Sequence, residues 1–99
     1  MKIKFGVNVV GLRPEIIMVL PVINDVIRWT GQEMVITSAL DGVHDERSLH
    51  KKGLAIDIRL PYRDPSKDTE VSFMIQSALG INYDVVKELD HIHIEYDKE

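Results

Sequence analysis

His50, Asp57, His91 and His93 are the residues whose types and spacing could do chemistry. Read with the two-residue period of a strand, residues 54–60 (LAIDIRL) put Leu54, Ile56, Ile58 and Leu60 on one face. Ala55, Asp57 and Arg59 fall on the other. Residues 91–96 (HIHIEY) divide the same way, with Ile92, Ile94 and Tyr96 opposite His91, His93 and Glu95. If these two strands are neighbours, Asp57 and His93 come within reach of one ion. His50, just ahead of the first strand, can fold over the same face. Two imidazoles and one carboxylate suit zinc, which takes nitrogen and oxygen ligands at about 2.0–2.2 Å. Three protein ligands leave a fourth position for water, whose pKa zinc lowers to about 7. A nearby base would then carry the proton to the leaving group.

Each of these residues also has a plainer reading. Outward-facing histidines on a strand are ordinary, and Asp57 alone could mark only the solvent face. Arg59 shares the parity of Asp57, and a surface salt bridge is its expected role. Glu95 is expected to support a ligand or lie at the surface rather than bind metal. Met18, Met34 and Met74 lie in apolar segments and are expected in the core.

The elements that must position the site follow from periodicity. Arg13-Pro14-Glu15 opens a helix, since proline suits a first helical position and glutamate the positive end of the dipole. Ile16, Val19, Leu20, Ile23 and Ile27 recur at helical spacing, Pro21 should kink or split the helix, and Gly31 stops it. Residues 33–37 (EMVIT) and 54–60 read as strands flanking a polar loop. Residues 62–67 read as a turn-rich connection, and 68–79 as a second helix burying Val71, Ile75, Ala78 and Leu79. Residues 83–87 and 91–96 read as two further strands. The order predicts an α+β domain: a small antiparallel sheet with helices packed on one face and the zinc site on the other.

Composition narrows the classes. Ninety-nine residues are expected to form one domain spanning 1–99, and 44% hydrophobic with 28% charged residues is globular. The net charge of -4 speaks against nucleic acid or an anionic membrane as partner. The absence of cysteine excludes disulfides and thiolate ligands. Neither a secretory signal nor a membrane span of about 20 apolar residues is visible. Synthesis in the cytoplasm is expected.

Ser48-Leu49-His50-Lys51-Lys52-Gly53-Leu54-Ala55-Ile56-Asp57 resembles the S-x-H-x-x-G-x-A-x-D motif of zinc D-Ala-D-Ala carboxypeptidases and related LAS-type peptidases. Asp90-His91-Ile92-His93 is similar to that family's H-x-H element. Residues 41–50 (DGVHDERSLH) are also similar to the hedgehog signalling domain, a relative of these peptidases. The resemblance implies zinc ligands at His50, Asp57 and His93, and His91 stabilising the transition state. It further implies His44 beside the metal, Gly53 permitting the turn before the strand, and Ser48 supporting the ligand loop. The family carries a glutamate shortly before the last ligand at differing offsets. Glu88, five residues before His93, is favoured as general base, with Asp90, three before, as its rival.

Family carboxypeptidases often carry S-G-Y-R ahead of the motif; here Ser38-Ala39-Leu40-Asp41 has no arginine. A metallopeptidase cutting within a peptidoglycan peptide is therefore expected over one gripping a free terminal carboxylate. It would act as a monomer, of a phage type released or delivered to the cell wall. The alternative is a zinc-containing binding module of the hedgehog kind, without turnover.

Overall fold

Isoleucines at every second position of two strands decide how this sheet faces its helices. The computed structural model describes residues 1–41, 49–50 and 52–97. Its elements are β1 (Lys2–Ile3), α1 (Pro14–Ile17), α2 (Leu20–Trp29), β2 (Val35–Ser38), β3 (Ala55–Arg59), α3 (Pro65–Leu79), β4 (Tyr83–Lys87) and β5 (His91–Tyr96). Five strands form one sheet in the order β1-β2-β3-β5-β4. Every pairing is antiparallel except β1 with β2. The fold is α+β, as expected.

Ile56 and Ile58 of β3 and Ile92 and Ile94 of β5 are almost fully buried. They join Ile16, Val19, Ile23 and Ile27 from α1 and α2, and Val71 and Ile75 from α3, in one core. Burying an isoleucine side chain is worth about 1.5–3 kcal/mol, so these strands are oriented chiefly by this face. The helical period of residues 16–27 survives although the chain divides into α1 and α2. Pro21 lies in the first turn of α2, where its missing N–H leaves no hydrogen bond unmade.

Several expectations need correction. Met34 is core, but Met18 is 68% exposed where α1 gives way to α2, and Met74 is 39% exposed on α3. Ala78 is exposed too. Helix α3 starts at Pro65, not 68, because Asp64 caps it: its carboxylate accepts from the Ser66 and Lys67 N–H groups. A sequence that reads as a turn is here a helix cap. The two-residue β1 escaped notice for want of any apolar period.

Asp68 then has a structural role. Buried in the first turn of α3, it accepts from the Tyr62 N–H with one oxygen and the Asp64 N–H with the other, both at 2.9 Å. It ties the connection after β3 to the helix. Asp68→Ala is expected to cost about 1.5–3 kcal/mol, the range for hydrogen bonds to a charged group. Urea unfolding measures it, and an unchanged midpoint would refute the role.

Candidate metal centre

The β3–β5 register sets Asp57 directly opposite His93, and Arg59 opposite His91. Because strand side chains alternate, all four project from the side of the sheet away from the isoleucine core. Position follows from pairing.

His50 arrives from the segment before β3. Gly53 makes its turn possible: φ is +74°, the Gly53 N–H donates to the His50 carbonyl, and the Leu54 N–H donates to the Leu49 carbonyl. A Cβ on Gly53 would fall 2.3 Å from the Gly11 carbonyl oxygen. The Arg13 N–H also donates to the Gly53 carbonyl, so the turn is pinned against the chain entering α1. His50 ends 5% exposed. Its Nδ1–H donates to the Ala39 carbonyl at 2.8 Å, while Asp41 accepts from the Ala39 N–H.

Three atoms converge. His50 Nε2 lies 3.2 Å from Asp57 Oδ1 and 3.2 Å from His93 Nδ1, and His93 Nδ1 lies 2.9 Å from Asp57 Oδ1. The partners on the far sides of the rings settle which nitrogens face inward bare. A carbonyl can only accept, so His50 carries its hydrogen on Nδ1 and turns the Nε2 lone pair to the centre. His93 Nε2–H donates to Glu95 at 2.8 Å, which leaves Nδ1 to face the centre. Two lone pairs and a carboxylate oxygen meeting at such distances repel one another unless a cation lies among them. For tetrahedral zinc with bonds of about 2.0–2.1 Å, ligand atoms should stand about 3.3–3.4 Å apart. The observed triangle is slightly tighter, so the donor set fits a metal ion with small adjustment.

Electrostatics agree. With no metal bound, burial raises the Asp57 carboxyl, but hydrogen bonds from the His50 and His93 rings when these carry inward-facing protons, and the positive charges of His50 and His91, hold it well below its usual range. The hydrogen bond with Asp57 raises His93, burial opposes this, and the Glu95 hydrogen bond adds to the rise. These hydrogen bonds favour the protonated form of His93 when no metal is bound.

Around the three ligand atoms, the other sequence candidates part company. His91 Nδ1 lies 2.6 Å from Asp90, and its Nε2 lies 3.6 Å from Asp57 Oδ1, so His91 and Asp90 border the cluster. Glu88 is exposed on the turn between β4 and β5. Among the described residues its carboxylate contacts none of the cluster. Arg59 is exposed and, among the described residues, forms no salt bridge, contrary to expectation. His44 and Ser48 lie outside the described residues. The Ala39 carbonyl went unanticipated, and no side-chain pattern could have announced a backbone acceptor.

Two outcomes are expected. Gly53→Ala forces a side chain into a left-handed conformation and against a backbone oxygen, so stability should fall by about 1–3 kcal/mol or more, with zinc affinity falling too. Unchanged unfolding and zinc titration would contradict this. A metal ion entering this site would also have to displace a proton from His93. The raised pKa of His93 keeps that proton to higher pH, so affinity should weaken about tenfold per pH unit below it. The already ionised Asp57 does not compete. Calorimetry across a pH series tests this, and affinity flat through the His93 titration would refute it. The chain matches no protein-family model and no curated protein, so what it does must be argued from this site and the motifs that form it.

Proposed function

We propose that this chain is a zinc-dependent peptidase hydrolysing an amide bond within peptidoglycan peptides. The carrying observation is the convergence of His50 Nε2, Asp57 Oδ1 and His93 Nδ1 on one point, three atoms that could together hold a metal ion. The resemblance of SLHKKGLAID and DHIH to LAS-type peptidases supports the reaction class. Three protein ligands among the described residues, rather than four, suit a catalytic ion more than a closed structural one. Zinc at these residues supplies Lewis acidity and a water acidic enough to ionise near neutral pH.

The chain's own residues manage the proton and the developing charge. His91 Nδ1–H donates to Asp90, which fixes the ring. His91 Nε2 faces the cluster's edge at 3.6 Å from Asp57, too far for a hydrogen bond. That nitrogen can take a proton from the attacking water and return it to the leaving amine as the carbon–nitrogen bond breaks. Protonated, it can also donate to negative charge growing on the scissile carbonyl oxygen. Asp90 and His91 thus act as a pair, which favours Asp90 over Glu88 as the carboxylate involved. Asp90 is exposed at 86%, open to proton exchange with solvent.

Zinc-loaded protein should release peptide fragments from cell walls, lose this with a chelator and recover it with zinc. Asp90→Asn and His91→Gln should each lower turnover by about 10²–10⁴-fold, the usual share of general acid–base catalysis, while zinc content holds. Glu88→Gln should stay within about threefold of wild type, since its carboxylate has no place in this scheme. Zinc retained without cleavage of any wall peptide would leave a binding module instead. Turnover abolished by Glu88→Gln would overturn the proton assignment.

A further inference from the structure

Arg59 is the unexplained residue of this face. It ends β3, two residues beyond Asp57 and on the same side of the sheet, opposite His91 in β5. Residues directly opposite on antiparallel strands have Cβ atoms about 4.5–5.5 Å apart, so the Arg59 stem stands beside His91. Asp57 and the exposed Asp90 both lie in this neighbourhood. An arginine with acids at hand ordinarily folds onto one. Here His50 and His93 engage the Asp57 carboxylate, and His91 engages that of Asp90. Arg59 makes no hydrogen bond or ion pair among the described residues.

Charge along the face is uneven. Among the residues that β3, β4 and β5 project on this side, Arg59 is the one permanent cation. Beyond His93, Asp84, Glu95 and Asp97 bring carboxylate oxygens within 4.8 Å of one another. A peptide lying over the three ligand atoms therefore meets the Arg59 cation, with the Asp90 carboxylate already engaged by His91, at one end and three clustered carboxylates at the other. An anionic group is favoured at the first end and repelled from the second.

We infer that Arg59 is the specificity-determining residue of the site, binding a substrate carboxylate within two residues of the scissile amide. This rests on the peptidase reading for the identity of the scissile bond, but not for the recognition itself. The spacing follows from geometry. Asp57 and Arg59 are two strand steps apart, about 6.5 Å at a rise of about 3.2–3.4 Å per residue. An extended peptide covers the same distance in two residues. Guanidinium donates in a planar fork that matches a carboxylate, so the recognition is bidentate in kind. The carboxylate has two possible sources: the free C-terminus of the peptide, or an internal acidic residue such as a γ-linked glutamate that keeps its α-carboxyl. Both present the same group to Arg59, and they distinguish a terminal from an internal cut.

The test uses the zinc-loaded full chain and a stem peptide, L-Ala-γ-D-Glu-L-Lys-D-Ala-D-Ala, in three forms: unmodified, amidated at the C-terminus, and amidated at the glutamate α-carboxyl. Binding is read by calorimetry, with KM and kcat beside it. One of the two amidated forms should bind wild type about ten- to a hundredfold more weakly, as for loss of a charge-assisted pair. Which one names the source. Arg59→Gln should bind the unmodified peptide as weakly as wild type binds that amidated form, and should no longer discriminate between them. Arg59→Lys should recover part of the difference. KM should move and kcat should not, as for binding shared by ground and transition states. Zinc content should match wild type, because Arg59 touches no ligand. Arg59-dependent discrimination without cleavage would sustain this inference and defeat the peptidase reading. Cleavage with equal affinity for all three forms, or discrimination surviving in Arg59→Gln, would overturn the inference and leave the peptidase reading in place.

Discussion

Everything at the centre depends on the register between β3 and β5, in which Asp57 faces His93. A slip of one residue would turn His93 into the core and bring Ile92 or Ile94 out to the polar side. Four isoleucines resist it, each contributing about 1.5–3 kcal/mol when buried. That sum is several times larger than any single His–Asp hydrogen bond, so apolar packing holds the register. The ligands are passengers on it. The two sets of residues occupy alternate positions on the same strands, so a site residue can be replaced without altering the core face.

That register delivers three potential ligand atoms to one point, held by hydrogen bonds while the rings carry inward protons and suited to a cation once they do not. The chain meets this with groups behind the ligands. The Ala39 carbonyl holds His50 in one tautomer, and Glu95 holds His93 in the other, so each ring presents a lone pair inward. Such partners do more than steady a ring. They make a neutral imidazole a better donor to a metal, and they keep it from turning its N–H inward, where no acceptor needs it more than the ion needs the lone pair. Asp57 and Glu95 together raise the pKa of His93, so a metal ion binding at this ring would be coupled to proton release.

Much of this could be seen in the sequence, for a definite reason. Period-two alternation in LAIDIRL and HIHIEY reports sidedness directly, so the shared face of Asp57, His91 and His93 could be read before any pairing was known. The partnering of β3 with β5, skipping β4 in chain order, could not; the strand order depends on how the whole sheet closes. His50 was visible as a residue type, but its tautomer depends on a backbone carbonyl that no side chain encodes. Glu88 and Asp90 show the limit of spacing. Both precede His93 by a few residues, yet the β4–β5 turn sends one to solvent and lets His91 hold the other. Met18 and Met74 misled because apolar character within a helical segment does not reveal which side of the helix is covered. Asp64-Pro65-Ser66 misled because the residues that favour turns are also those that cap helices, and only the donors beyond them decide which occurs.

In the proposed reading, the end of the sheet where β3 finishes and β5 begins carries the tasks that the metal ligands would not perform. His91 opens β5, Asp90 sits on the turn before it, and Arg59 closes β3 on the same side. Strand ends suit these tasks. A residue there keeps its backbone fixed by pairing on one side while its side chain stays open to solvent and substrate. A carboxylate as exposed as Asp90 exchanges protons freely, and an arginine as exposed as Arg59 gives up little solvation to reach an anion. The partly buried triangle of His50, Asp57 and His93 has different requirements: fixed tautomers and little slack. Holding a cation calls for rigid, positioned ligands, and the proposed handling of protons and substrate calls for an accessible rim. One pair of strands could offer both, the first from its middle and the second from its end.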